Sequence, residues 1–162
     1  AEILAAPHQL EVVAEPGLRE IHHGRWEQRT RAEVESDFPD EYKSWEADPF
    51  TFAPEGGETG LSVLARALPA LRRRVQEHEG QTLLIVSHKA TLRLLIGSLL
   101  GFDLRGYRDR LDQKPCCLNV VDFRDATRAR LMLYNDISHY EDQPQVTQSS
   151  LSSWWDKGPE KP

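Results

Sequence analysis

Long apolar runs, spaced cysteines and an excess of positive charge are all missing from this chain of 162 residues. No stretch reaches the roughly 18 apolar residues of a membrane span, because Arg93 interrupts the longest candidate. The two cysteines, Cys116 and Cys117, are adjacent, which suits neither a zinc site nor a disulfide framework. A net charge of −6 argues against nucleic acid as a partner. We therefore expect a soluble, cytoplasmic protein without a membrane, metal or nucleic-acid partner.

The length and the composition predict one domain followed by a tail. A chain of this size buries roughly two thirds of its unfolded surface, enough for one core. The segment 141–162 is rich in Gln, Ser and Pro, so we assign 1–140 to the domain and 141–162 to a C-terminal tail. The first residue is Ala1, and good helix formers follow it without a capping residue. This pattern predicts a helix that begins upstream of Ala1.

The most informative stretch is a short apolar run that changes at once into a helical pattern. Leu83–Val86 predicts a buried parallel strand, and the apolar spacing from Leu92 to Leu99 predicts a helix. His88 stands between them, where ligands bind in open α/β sheets and where a helix offers free N–H groups to an anion. We interpret His88 as a phosphate-binding residue. The alternative is a histidine that only caps the helix or forms a hydrogen bond with a neighbouring loop.

The rest of the pattern predicts helices, loops and a hairpin around this unit. Pro39 divides a polar insertion into two short helices, and Pro69 kinks a long amphipathic helix or ends a short first segment. Two β-favouring segments near the end are separated by a polar turn, which is typical of a hairpin. The ranges, in chain order, are an extended piece at 10–14, the insertion at 30–45, a loop at 48–60, the long helix from 61 to about 80, and strands at 117–123 and 129–134.

Three short motifs occur in a distinctive order. They are Leu18-Arg19-Glu20 with Gly24 and Trp26-Glu27, then Gly57-Glu58-Thr59 with Arg66 and Pro69, then Ser87-His88-Lys89, followed by an Asn135-to-His139 segment. Each is weak alone; together they resemble the histidine phosphatase superfamily, with its phosphoglycerate mutase-like fold, and especially small members such as the α-ribazole phosphatases. The resemblance extends from Ala1 to about His139.

The resemblance implies a fold and a chemistry. The fold would be α/β, with a mixed, mostly parallel sheet flanked by helices. Glu20 would be the general acid that protonates the leaving oxygen, and His88 would stabilise charge on the phosphoryl group. The substrate would be a small phosphorylated metabolite, and the segment 37–52, which overlaps the insertion, would select it. No cofactor is expected.

The family's phosphoacceptor is a histidine in an Arg-His-Gly motif on the first strand, and no Arg-His-Gly occurs in the 162 residues. We therefore expect an incomplete domain that lacks its nucleophile and first strand. Such a chain would be inactive on p-nitrophenyl phosphate, and its unpaired sheet edge would promote association, for example into a homodimer.

Four further residues are candidates for substrate binding: His22, His23, Glu58 and Lys89. Each also has a structural explanation. Adjacent histidines point apart in an extended chain and lack the spaced partners of a metal site. Glu58 could stabilise the first turn of a helix, Glu20 could be a surface carboxylate paired with an arginine, and Lys89 could face solvent.

Two functions remain after this reasoning. The first is a phosphomonoesterase or mutase acting through a phosphohistidine; the second is a non-catalytic module that keeps part of a phosphate pocket. A serine hydrolase using Ser87 is excluded, because the nucleophile elbow requires G-x-S-x-G and Ser87 is followed by His88-Lys89.

Overall fold

The structure, a computed structural model, describes residues 1–140; the predicted tail lies outside the described residues. The described part is mainly helical, with one pair of strands and four short 3₁₀ turns. The elements are α1 Glu2–Ala5, α2 Arg31–Asp37, α3 Pro39–Ala47, α4 Gly60–Glu77, α5 Lys89–Leu99, α6 Tyr107–Arg110, β1 Leu118–Phe123 and β2 Ala129–Asp136; the 3₁₀ turns are Ala6–His8, Pro16–Leu18, Gly24–Trp26 and Leu104–Gly106.

The insertion forms the two short helices that the sequence predicts. Thr30 and Glu33 close a capping box that satisfies free N–H groups at the start of α2. Pro39 is the first residue of α3, where its missing N–H costs nothing. The two helices enclose a core of their own, which consists of Trp26, Val34, Tyr42 and Trp45.

Helices α4 and α5 form the body on which the insertion rests. Thr59 caps α4 by accepting a hydrogen bond from the N–H of Ser62. The helix continues through Pro69 without a break. The apolar stripes of both helices meet in two further buried clusters. These clusters are Leu18, Ala67, Leu71 and Leu95, and Ile21, Val63, Leu94 and Tyr107.

The hairpin near the end is confirmed, but the mostly parallel sheet is not. β1 pairs with β2 in antiparallel register, with Val121 opposite Leu131 and Phe123 opposite Ala129. Within residues 1–140 this is the only sheet. One face of it packs on the C-terminal half of α5, where Val121 and Leu131 face Ile96.

The segment Leu83–Val86 belongs to no ladder, so the prediction of a buried parallel strand is wrong for the described residues. Its burial nevertheless alternates with a period of two, as in an extended chain. Ile85 packs on the cluster that contains Leu95, whereas Leu84 and Val86 are 66% and 49% exposed. The apolar run alone could not reveal this, because a ladder requires a neighbouring strand and no described segment lies there as one.

Candidate active site

The carboxylate of Glu20 lies at the N-terminus of α5. Its Oε2 accepts a hydrogen bond from the N–H of Ala90 at 3.2 Å, and its Oε1 accepts one from the N–H of Thr91 at 3.2 Å. The N–H of Ile21 donates to the same Oε1 at 2.9 Å. The first N–H groups of a helix have no partner within the helix and carry the positive end of its dipole, so a carboxylate is well stabilised there. The structure therefore brings Glu20 to the helix terminus that His88, the N-cap residue, precedes.

His88 is the N-cap residue of α5, but its side chain makes no capping hydrogen bond. Its backbone is extended, with φ −124° and ψ 164°, and its carbonyl accepts the N–H of Leu92 at 2.9 Å. The side chain is exposed. The geometry therefore does not support the alternative in which the imidazole only caps the helix, and it leaves the ring accessible to a ligand.

The segment that carries Glu20 is held by side chains instead of by a strand ladder. Ser87 Oγ donates to the carbonyl of Leu18 at 2.7 Å, and Thr91 Oγ1 donates to the carbonyl of Arg19 at 2.8 Å. Both donors flank His88 in the sequence. The segment that carries the predicted acid and the segment that carries the predicted phosphate-binding histidine are thus joined by short hydrogen bonds.

Glu58 is directed at this same segment. Its two carboxylate oxygens accept from Arg66, at 2.8 Å from Nε and 2.9 Å from Nη2. They also accept from Arg19 Nη2 at 2.8 Å and from the N–H of His22 at 3.1 Å. The hydrogen bonds from Arg66 lower the pKa of Glu58, and so do the hydrogen bond from His22 and the charge of Arg19. Desolvation raises this pKa, but the net effect is a lower value. Both oxygens are committed to donors of the protein, which leaves little to offer a substrate.

His22 is exposed, and its Nδ1 accepts a hydrogen bond from the N–H of Gly24 at 3.0 Å. Nδ1 also lies 3.3 Å from the carbonyl of Gly56, but a nitrogen that accepts from Gly24 cannot donate there. In the neutral ring the proton is therefore on Nε2.

Gly24 adopts φ +56°, and a Cβ at this position would lie 2.1 Å from the carbonyl oxygen of Glu55, so only glycine fits.

His23 turns toward the insertion. Its ring lies edge-on to Trp45, with centroids 6.1 Å apart, and the guanidinium of Arg108 covers the Trp45 ring at 3.8 Å. Burial lowers the pKa of His23, although the charges of Glu27 and Glu20 oppose the shift. The buried Nδ1 has no hydrogen-bond partner among residues 1–140. His22 and His23 therefore lie in different surroundings, although the backbone at His23, with φ −92° and ψ 13°, is not extended.

Lys89 is the first residue of α5 and is half-buried. Burial raises the pKa of the nearby Asp112. Lys114 and the N–H of Gln113 lower this pKa, as does the charge of Lys89, and the net effect is a lower pKa. Lys89 thus adds positive charge at the same helix terminus.

Within the described range, no group of three or more His, Cys, Asp or Glu side chains could hold a metal ion. None of its helices is long and apolar enough to cross a membrane.

Sequence reasoning missed the role of Arg66, which it quoted only as part of a motif. Glu58 lies eight residues from Arg66, but the carbonyls that Arg66 also binds lie 46 to 49 residues away in the chain. On the same helix, Arg73 and Arg74 both bind Glu15, at 2.6 Å and 3.0 Å, across 58 and 59 residues. Spacing alone carries no information on such contacts.

Comparisons with known proteins find relatives of this chain. A curated relative, phosphoserine phosphatase 1 of Hydrogenobacter thermophilus, is 34% identical over 101 residues, which are 62% of this chain and 48% of that protein. The chain thus spans about half the length of this relative. Among solved structures, Bacillus stearothermophilus YhfR superposes with a TM-score of 0.78 at 28% identity, over 85% of this chain and 68% of that one.

The α-ribazole phosphatase of Shigella flexneri also superposes, with a TM-score of 0.72 at 26% identity, over 83% of this chain and 66% of that one. The described helices and hairpin are thus part of a fold that these proteins share. A family model described as histidine phosphatase superfamily (branch 1) matches residues 1–137, which is most of the chain. The chain therefore belongs to the histidine phosphatase superfamily.

Proposed function

We propose that this chain is the larger part of a phosphatase that hydrolyses a small phosphomonoester through a phosphohistidine intermediate. The observation that carries the proposal is the meeting of Glu20, His88 and Lys89 at the N-terminus of α5. An anion-binding helix terminus, an accessible imidazole and a carboxylate are the groups that phosphoryl transfer requires, since its catalysis is mainly positioning and charge stabilisation.

The proposed roles follow from the chemistry of the groups. His88 donates a hydrogen bond to a phosphoryl oxygen, and Lys89 contributes positive charge. Glu20 protonates the leaving oxygen. Among the described residues its Oε2 accepts one hydrogen bond, from the N–H of Ala90, so this oxygen keeps a lone pair that can carry the proton. A positioned acid of this kind contributes roughly 10²–10⁴ in rate.

The nucleophile is proposed to lie in an Arg-His-Gly segment, which the 162 residues do not contain. The segment would form a strand beside Leu83–Val86, completing a mostly parallel sheet. Support comes from Leu83–Val86, whose burial alternates as in an extended chain and which pairs with no strand among the described residues, so its backbone is open to a neighbouring strand. A strand there would end near His88 and bring its nucleophile to the candidate site.

The substrate class is proposed from the relatives. One is named a phosphoserine phosphatase and another an α-ribazole phosphatase, and both names describe the removal of phosphate from a small metabolite. The insertion that packs on His23 is proposed to select among such molecules. We also propose a cytoplasmic location, since both cysteines are free.

The experiment compares the 162-residue chain with a version extended by its upstream coding sequence, both assayed on p-nitrophenyl phosphate. We expect turnover only from the extended protein, with a large loss in Glu20→Gln and in His88→Ala. Turnover by the chain alone that is lost in His88→Ala would contradict the assignment of the nucleophile.

A second candidate is a non-catalytic module that binds phosphorylated ligands. It is favoured by the absence of Arg-His-Gly from the sequence given. If the upstream coding sequence encodes no Arg-His-Gly, and the chain binds inorganic phosphate without hydrolysing esters, this alternative replaces the first.

A further inference from the structure

Arg66 uses every N–H of its guanidinium within one small region. Nε donates to Glu58 Oε1 at 2.8 Å, and Nη2 donates to Glu58 Oε2 at 2.9 Å and to the carbonyl of Glu20 at 3.0 Å. Nη1 donates to the carbonyls of Gly17 and Arg19 at 2.8 and 2.9 Å. An arginine has five such donors, and here all five are used.

Glu58 holds the other end of the same segment. Its carboxylate accepts the N–H of His22 at 3.1 Å, while its own N–H donates to the carbonyl of His22 at 2.8 Å. Arg66 and Glu58 together therefore fix the backbone from Gly17 to His22, with Glu20 inside the clamp. Both side chains are largely buried, at 16% and 17% exposure, so solvent screens the pair only partly.

We propose that Glu58 and Arg66 are positioning residues for Glu20: they hold its backbone where the carboxylate meets the first turn of α5. A strand in a sheet would satisfy these carbonyls through its neighbours, but this segment joins no ladder among the described residues. Arg66 therefore supplies the hydrogen bonds that a neighbouring strand would otherwise donate to the carbonyls of Gly17, Arg19 and Glu20. The geometry thus replaces the interpretation of Glu58 as a substrate ligand.

The identity of the cation matters in this arrangement. A lysine at position 66 would keep the charge but offer three donors from one nitrogen in place of a planar fork. It could pair with Glu58, but it could not also reach the carbonyls of Gly17, Arg19 and Glu20. Arg66→Lys therefore releases the segment while the charge of the site is unchanged.

The inference rests on the role proposed for Glu20, so its test reads the position of Glu20 and not turnover. In the isotopically labelled 162-residue chain, NMR follows the amides of Ala90 and Thr91 and the carboxyl carbon of Glu20. We expect Arg66→Lys to shift all three signals. The matched control is Arg74→Lys on the same helix, which weakens the ion pair with Glu15 but leaves the three signals in place.

Glu58→Gln provides a second variant if Arg66→Lys does not fold. It keeps the shape of the side chain but faces Arg66 with an NH₂ group, so the same signals should shift, by less. The proposal would be overturned if Arg66→Lys and Glu58→Gln lowered the melting temperature as Arg74→Lys does but left the three signals in place. The clamp would then stabilise the fold without positioning Glu20. An extended protein that fails to turn over substrate would refute the proposed function and leave this result intact.

Discussion

The hydroxyl of Thr91 lies 2.8 Å from the carbonyl oxygen of Arg19 and 3.2 Å from Oε1 of Glu20. One hydroxyl proton cannot serve both acceptors, and the shorter distance assigns it to Arg19. The fully buried Thr91 therefore supports the backbone of the segment, while the carboxylate depends on N–H donors.

Thr91→Val tests this assignment. The variant keeps the volume but removes the donor, and we expect the free energy of unfolding to fall by about 1–2 kcal/mol. Urea denaturation followed by circular dichroism measures the change. The control is Thr82→Val at an exposed position, which should stay near the wild-type value. Equal stability of the two variants would contradict a structural role for the Thr91 hydroxyl.

His23 should make stability depend on pH. Burial lowers its pKa in the folded state below the ordinary value of 6.5, so the unfolded chain binds more protons between the two pKa values. The contribution of the neutral ring is present above about pH 6.5 and is lost as the pH falls toward the folded pKa. Melting temperatures from pH 8 to pH 5 should fall less steeply in His23→Phe than in the wild type. His8→Gln, at an exposed site, should retain the wild-type slope.

The insertion core should be sensitive to truncation. Trp26 has no exposed surface and packs edge-on against Trp45 at 5.9 Å, so Trp26→Ala removes a large buried ring. We expect a loss of about 3–5 kcal/mol, with a weaker near-ultraviolet dichroism signal. Ile3→Ala, where the side chain is 89% exposed, should change stability by no more than about 0.5 kcal/mol. A small effect at Trp26 would show that the insertion does not depend on this core.

The chain should associate in solution, for example as a homodimer. Leu84 and Val86 are exposed on a segment without a ladder partner, and such edges pair with other chains. Analytical ultracentrifugation should detect a dimer or larger species, and Leu84→Lys should shift the distribution toward the monomer. Leu61→Lys, at an exposed leucine on α4, serves as the control. A wild-type chain that stays monomeric at all concentrations would contradict the prediction.

Local signals in the sequence predicted the elements that local physics determines. Pro39 predicted the division of the insertion into two helices, and the apolar spacing from Leu92 to Leu99 predicted α5. The prediction was wrong at Leu83–Val86, because the same run fits a strand with or without neighbours. The partner of Glu58 was also hidden, since a carboxylate near a helix start can face a ligand, the helix dipole or an arginine. Only the tertiary structure shows that both of its oxygens accept from Arg66.

The cluster around Trp26 shares no buried residue with the two clusters beneath Glu20. The lobe built from α2 and α3 can therefore accumulate changes in its interior without loosening the scaffold that aligns the proposed acid. Evolution, or an engineer assembling chimeras, could exchange this lobe and alter the proposed ligand preference while the proposed acid keeps its alignment.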